Sequence, residues 1–284
     1  MTFNYKNFYS EIDWSSYWDK TINFSFSNNG DYENYYNDKQ RALSYDNSKL
    51  IKEDGEKRAK EFNFDKKYRV LDIGAGPGVL AIPLARYIKK VTVVEPSASM
   101  IDLLKKHMID EGLTNIEIFK SKWEDFDKDA IEKHDVVIAS YSLSMQNIKS
   151  CLLKMEECSI KEVILYWFSG ITSWEKLYLD LYPKIYGREY IPTPKCNILY
   201  NILYNMGRNP SITYLKGTSF PKIYESIDQS VQDIKLRLRI FESIYDEYLK
   251  KYAESKLRKL DGKYIWDDDT NYVRISWSAK NIGD

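Results

Sequence analysis

Between Tyr68 and Glu95 the chain reads YRVLDIGAGPGVLAIPLARYIKKVTVVE, and no other stretch limits the possible folds as strongly. Val70-Leu71-Asp72-Ile73 is an apolar run with the length of a buried strand. Gly74, Gly76 and Gly78 follow, then a helical pattern over 78–88 and a second apolar run over 91–95. A strand, a glycine turn and a helix in this order open a nucleotide-binding α/β unit. The glycine spacing then separates the possible ligands. A dinucleotide fingerprint places its third glycine five residues after the first, as G-x-G-x-x-G. Here the pattern is G-x-G-x-G, and Val79 stands where that third glycine would fall. Asp72 lies two residues before the first glycine. A carboxylate there opposes a pyrophosphate and suits a ligand with a cationic amino-acid end, which counts against NAD.

From Tyr68 onward, strand candidates alternate with amphipathic helices. The strands are 68–73, 91–95, 116–119, 135–139 and 162–168, and helical patterns lie near 78–88, 97–111 and 145–158. This alternation predicts right-handed crossovers and a mostly parallel, doubly wound sheet. ITYLKG (212–217), a long helix with apolar residues from Ile227 to Tyr248, and the alternating YVRISWS (272–278) close the chain with two more strands around a helix. That gives seven strands, the last antiparallel. Residues 1–60 read as an aromatic, helical N-terminal segment and 61–284 as the main domain. Pro183, Pro192, Pro194 and Pro210 mark 171–210 as an irregular, lid-like insertion.

VLDIGAGPG followed by VTVVEPSASM resembles the class I S-adenosylmethionine (SAM)-dependent methyltransferases, clearly over roughly residues 60–170. The resemblance implies SAM as cofactor and S-adenosylhomocysteine as product. It places Asp72, Gly74, Ala75, Gly76 and Gly78 at the aminocarboxyl end of SAM, where the three glycines have no Cβ to collide with the ligand. Glu95, ending the second strand, is placed to accept both ribose hydroxyls, with Pro96 and Met100 beside it. After the third strand, Trp123-Glu124-Asp125 falls at the adenine position, where Glu124 is preferred narrowly over Asp125 and Trp123 would cover the ring. The fourth strand ends at Ala139-Ser140-Tyr141, beyond which an open parallel sheet holds its ligand. Ser140 would line the cofactor, and Tyr141 is the one candidate base or acceptor-positioning residue. The segment reads Ser-Tyr-Ser-Leu, not the Asn/Asp-Pro-Pro-aromatic pattern of enzymes that methylate base amines or glutamine amides. No cysteine lies between 68 and 150, which counts against cytosine C5 chemistry.

Lys+Arg and Asp+Glu are equal at 42 each, so no broad basic field attracts a phosphate backbone, and nucleic acid is not expected as a partner. No apolar run reaches membrane-spanning length. The N-terminus lacks a signal-peptide pattern, and Cys151, Cys158 and Cys196 read as reduced thiols, so a cytoplasmic protein is expected. Cys151 and Cys158 share a helix face without companion ligands, so no metal site is expected. His134 reads as a surface residue at the amino end of the fourth strand, and His107 as a charge near a helix C-terminus. Trp14, Tyr17, Trp18, Tyr35 and Tyr36 read mainly as packing, with a substrate box as the alternative. Lys222, Lys235, Arg237 and Arg239 read as the wet face of the long helix, whose apolar stripe could also support a homodimer. The expected function is methyl transfer from SAM to a small-molecule acceptor. The alternatives are an enzyme acting on tRNA or protein, or a non-catalytic SAM-binding regulator.

Overall fold

The computed structural model describes residues 12–29 and 37–279. Their helices are, in chain order, α1 (Trp14–Asn29), α2 (Lys39–Asp46), α3 (Lys49–Glu61), α4 (Ala81–Ala85), α5 (Ala98–Asp110), α6 (Ile148–Cys158), α7 (Ser173–Tyr186), α8 (Cys196–Asn205), α9 (Ile227–Leu238) and α10 (Asp246–Lys256). Their strands are β1 (Arg69–Ile73), β2 (Lys90–Val94), β3 (Ile116–Phe119), β4 (His134–Ser140), β5 (Ser159–Ser169), β6 (Ser211–Tyr214), β7 (Lys222–Tyr224), β8 (Arg258–Leu260), β9 (Lys263–Trp266) and β10 (Asn271–Ser278). The described residues form two compact units: those within 12–169, 193–216 and 272–279, and those within 170–192 and 217–271.

The first unit holds a seven-stranded sheet in the order β3-β2-β1-β4-β5-β10-β6. β3, β2, β1, β4 and β5 run parallel, and β10 pairs antiparallel with β6. Strand side chains alternate between faces. In β1, Leu71 and Ile73 enter one core with Trp18 and Ile22 of α1, Leu152 and Met155 of α6 and Leu199 of α8. Val70 enters the other, with Ala59 of α3, Leu84 of α4 and Leu104 of α5. Both faces are covered, so the strands read as apolar runs rather than as alternation. Strand order reverses between β1 and β4, whose register pairs Asp72 with Ile138 and Ile73 with Ala139. Their carboxyl ends therefore finish level, at the point where open α/β sheets bind ligands.

The second unit has its own core, in which Leu181 of α7, Ile234 of α9 and Leu249 of α10 pack together, and an antiparallel sheet in the order β7-β9-β8. Three expectations change here. The helix expected over 227–248 stops at Leu238, where Arg239 takes φ 56° and caps it, and α10 starts afresh at Asp246. The stripe accordingly splits: Ile227, Val231, Ile234 and Leu238 are buried, while Phe241 and Ile244 are 86% and 81% exposed. Lys222 and Arg237 are not merely solvated, since both bind Asp233, and Lys235 binds Asp246. Finally, 171–210 is no irregular stretch. A capping box from Thr172 and Glu175 starts α7 in the second unit, and α8 is part of the first unit's core.

Candidate functional site

The glycine loop leaves β1 at the reversal point. Gly74, Gly76 and Gly78 have φ of 67°, 56° and 92°, a region that side chains with a Cβ rarely adopt. They lack side chains for different reasons. A Cβ on Gly74 would lie 2.4 Å from the Ser142 Cβ, and one on Gly78 would lie 2.6 Å from the Leu104 Cδ1. These two make room for the protein's own atoms. Gly76 alone faces open space, with nothing within 4 Å of a Cβ among the described residues. Only Gly76 therefore fits the expectation that a missing Cβ makes room for a ligand.

Glu95 follows β2 and is buried, with both carboxylate oxygens engaged. Oε2 accepts from the Gly76 N–H and Oε1 from the Ser97 N–H, each at 2.9 Å. Ser97 in turn caps α5 by accepting from the Met100 N–H. Ala75 and Met100 are buried beside this turn, and Pro96 is half-buried. Glu95 thus clasps the glycine loop.

Asp72 points to the α3 side of the sheet, 1% exposed, and neither of its oxygens has a hydrogen-bond partner among the described residues. Burial pushes its carboxyl up to about 7, against the pull of Arg58 and with a further push from Glu95. A buried carboxylate without a donor is costly, and a cationic amino group seated beside it would remove that cost. Arg58, which the sequence reading missed, projects from α3 with 4% exposure. Its Nε donates to Asp54 at 2.6 Å and its Nη1 to the Ser140 Oγ at 2.8 Å, while the guanidinium covers the rings of Tyr166 and Tyr141. A signal was present in Gly55, a glycine inside a charged helix. Its absent Cβ lets α3 approach the Val79 carbonyl of the glycine loop.

Tyr141 follows β4 at φ 57°, uncommon for a bulky residue. Its ring stacks on Phe168 and meets the edge of Tyr272. Its hydroxyl is buried without a hydrogen-bond partner among the described residues. Burial raises its pKa far above the usual phenol value, so at neutral pH it keeps its proton and can donate but not act as a base. That narrows the role expected for it.

Trp123 is 2% exposed, stacks with Phe126 and donates from Nε1 to the Cys151 carbonyl. Its ring belongs to the core and is not open to cover an adenine. Lys154, also missed, folds this turn by donating to the carbonyls of Trp123, Glu124 and Phe126. Glu124 is half-buried and accepts from the Gln146 N–H at 3.2 Å, whereas Asp125 is exposed. His134 is a correction: it is 3% exposed, bonded to the Thr92 hydroxyl, and burial with nearby Arg69 and Lys90 lowers its pKa to about 4. Trp18 is fully buried and donates to the Met145 carbonyl. Trp14 is partly buried against the same core and Tyr17 is half exposed, while Tyr32, Tyr35 and Tyr36 lie outside the described residues. All three cysteines are free and buried. Among the described residues no His/Cys/Asp/Glu cluster could hold a metal, and no helix is long and apolar enough to cross a membrane.

Comparison with known proteins agrees with this geometry. Residues 70–158 match the family described as "Methyltransferase domain". The chain is 29% identical over 213 residues to an uncharacterized Haemophilus influenzae protein, covering 75% of this chain and 77% of that one. It is 38% identical over 98 residues to a Methanosphaera stadtmanae protein named a probable ribosomal RNA small subunit methyltransferase A, covering 34% of each. The crystal structure of a Bacillus halodurans protein provisionally named a methyltransferase superposes with a TM-score of 0.56 at 13% identity, over 80% of this chain and 99% of that one. A glycine loop after β1, an acidic residue after β2 and this strand order thus coincide with the family match, and residues 70–158 form a methyltransferase domain within the class I methyltransferase fold.

Proposed function

We propose that this enzyme transfers the SAM methyl group to a small-molecule acceptor held at the carboxyl ends of β4 and β5. In this reading Asp72 accepts from the ammonium of SAM, Gly76 gives its backbone room to pass, Glu95 accepts from the ribose hydroxyls and Glu124 from the adenine amino group. The observation that carries the acceptor site is Tyr141. A strained backbone, a buried hydroxyl without a partner and an aromatic surround of Tyr166, Phe168 and Tyr272 meet at the end of β4. Strain and an unmet donor at such a position fit a group waiting for a ligand. Tyr141 would donate to an oxygen or nitrogen of the acceptor and hold its nucleophilic atom in line with the sulfonium methyl. Such positioning can supply roughly 7–11 kcal/mol of a transfer barrier. Arg58 already occupies the cation position over Tyr141 and Tyr166, which favours a neutral or anionic acceptor over a cationic one.

RNA is the competing acceptor, since one relative bears a ribosomal RNA methyltransferase name, though over a third of each chain. The zero formal net charge favours the small molecule. Incubation with SAM labelled at the methyl group decides, using a small-molecule extract in one arm and ribosomal RNA in the other. Label is expected in the extract. Label in RNA alone would overturn the small-molecule reading.

A further inference from the structure

His107, near the end of α5, meets an oxygen at each ring nitrogen. Nδ1 lies 3.0 Å from the Pro77 carbonyl and Nε2 lies 3.2 Å from Oδ2 of Asp46. The carbonyl can only accept, so the Nδ1 contact places a ring hydrogen on Nδ1. Asp46 is 7% exposed, and the Lys52 ammonium lies 3.5 Å from its Oδ1. The remaining charges around the ring are Glu111, whose carboxyl the Arg86 guanidinium holds below the usual range, and Arg86 itself, which grips both Glu111 and Glu56.

The carbonyl that His107 holds lies inside the glycine loop, between Gly76 and Gly78. Glu95 holds the same loop from its other side, through the Gly76 N–H. The segment that supplies Asp46 is tied to the far end of α5 as well. There the Asn37 side chain accepts from the Ala98 N–H, and its carbonyl accepts from the Ser99 hydroxyl. α2 and its leading residues thus span α5, and His107 carries that brace to the glycine loop.

We propose that His107 is a positioning residue. Bridging Asp46 and the Pro77 carbonyl, it holds the GAGPG loop in the form that accepts the cofactor. This rests on the reading that the loop holds SAM.

His107→Gln should unfold cooperatively yet bind SAM at least tenfold more weakly by calorimetry. In the ligand-free variant the Gly78 amide, which donates to the Ala75 carbonyl inside the loop, should exchange its hydrogen faster than in the parent. Asp46→Asn should behave differently. Its side-chain amide can donate to Nε2 while Nδ1–H still reaches Pro77, so SAM affinity should stay within threefold of the parent. His107→Gln binding SAM like the parent, with unchanged Gly78 exchange, would overturn the proposal. A parent that binds no SAM would overturn the cofactor reading beneath it, and the Gly78 exchange separates that failure from loss of the bridge.

Discussion

At the scale of single residues, Asp72 makes the sharpest prediction. Its folded pKa is raised from 3.8 to about 7, so between those values the folded state holds a proton that the unfolded state has released. This group therefore lowers the stability of the ligand-free protein as pH climbs from about 4 to about 7, and the deficit persists above that. Asp72→Asn should raise the melting temperature at pH 8 and leave it nearly unchanged near pH 4. SAM should reverse the deficit, because its ammonium favours the ionised carboxylate. At pH 6.5 SAM binding should release protons, seen as a buffer-dependent heat in calorimetry, and Asp72→Asn should abolish that release. Equal heats in buffers of different ionisation enthalpy would show that Asp72 is already ionised. Glu95 makes a second prediction. Glu95→Ala removes a ribose acceptor and also frees the amides of Gly76 and Ser97. Cofactor affinity should fall by about 1.5–3 kcal/mol, the worth of hydrogen bonds to a charged group, and the glycine loop should exchange its amide hydrogens faster. Unchanged exchange would leave Glu95 a ligand contact alone.

At the scale of elements, the glycine loop separates residues that shape the fold from residues that shape the site. Gly76→Ala places a methyl group in open space at φ 56°, a left-handed conformation costing roughly 1–2 kcal/mol. The fold should survive with a slightly lower melting temperature while SAM binding is lost. Gly74→Ala drives its methyl group into Ser142 and should lower the melting temperature more than Gly76→Ala. If Gly76→Ala were the more damaging to stability, the open face assigned to it would be wrong. The same loop shows where sequence patterns mislead. Three glycines at equal spacing look alike in one dimension, yet Ser142 and Leu104, which decide two of them, lie far along the chain. The helix expected over 227–248 failed for a related reason. The apolar spacing continues through Phe241 and Ile244, but the chain turns at Arg239 and leaves both outside the core.

At the scale of the whole molecule, the two units carry separate cores. Leu249 is fully buried in the second unit's core. Leu249→Ala should destabilise that unit by about 2–5 kcal/mol. Hydrogen exchange should quicken in α9 and α10 while SAM affinity stays within twofold. A matching loss of protection in β1 and β4 would mean that the two cores unfold as one.

Much of the catalytic unit was legible in the sequence. The glycine loop, the apolar strands, the crossover helices and Glu95 all depend on neighbours in the chain or on simple periodicity, and all seven strands of the main sheet fall within a few residues of their expected places. Chain order could not show what is brought together from a distance. Arg58 reaches Ser140 across 82 positions, and Trp123 is claimed by the core through Cys151, 28 residues on. His107 is joined to Pro77 across 30. The second unit was missed because its pieces, 170–192 and 217–271, are separated in the chain by α8 and β6 of the first, and its core draws residues from both pieces. Local periodicity determines which segments can become strands and helices, because backbone hydrogen bonding and side-chain alternation act over a few residues. Which polar groups end up buried, and whether they find a partner there, depends on tertiary packing, and for Asp72 and Tyr141 only the fold decided it.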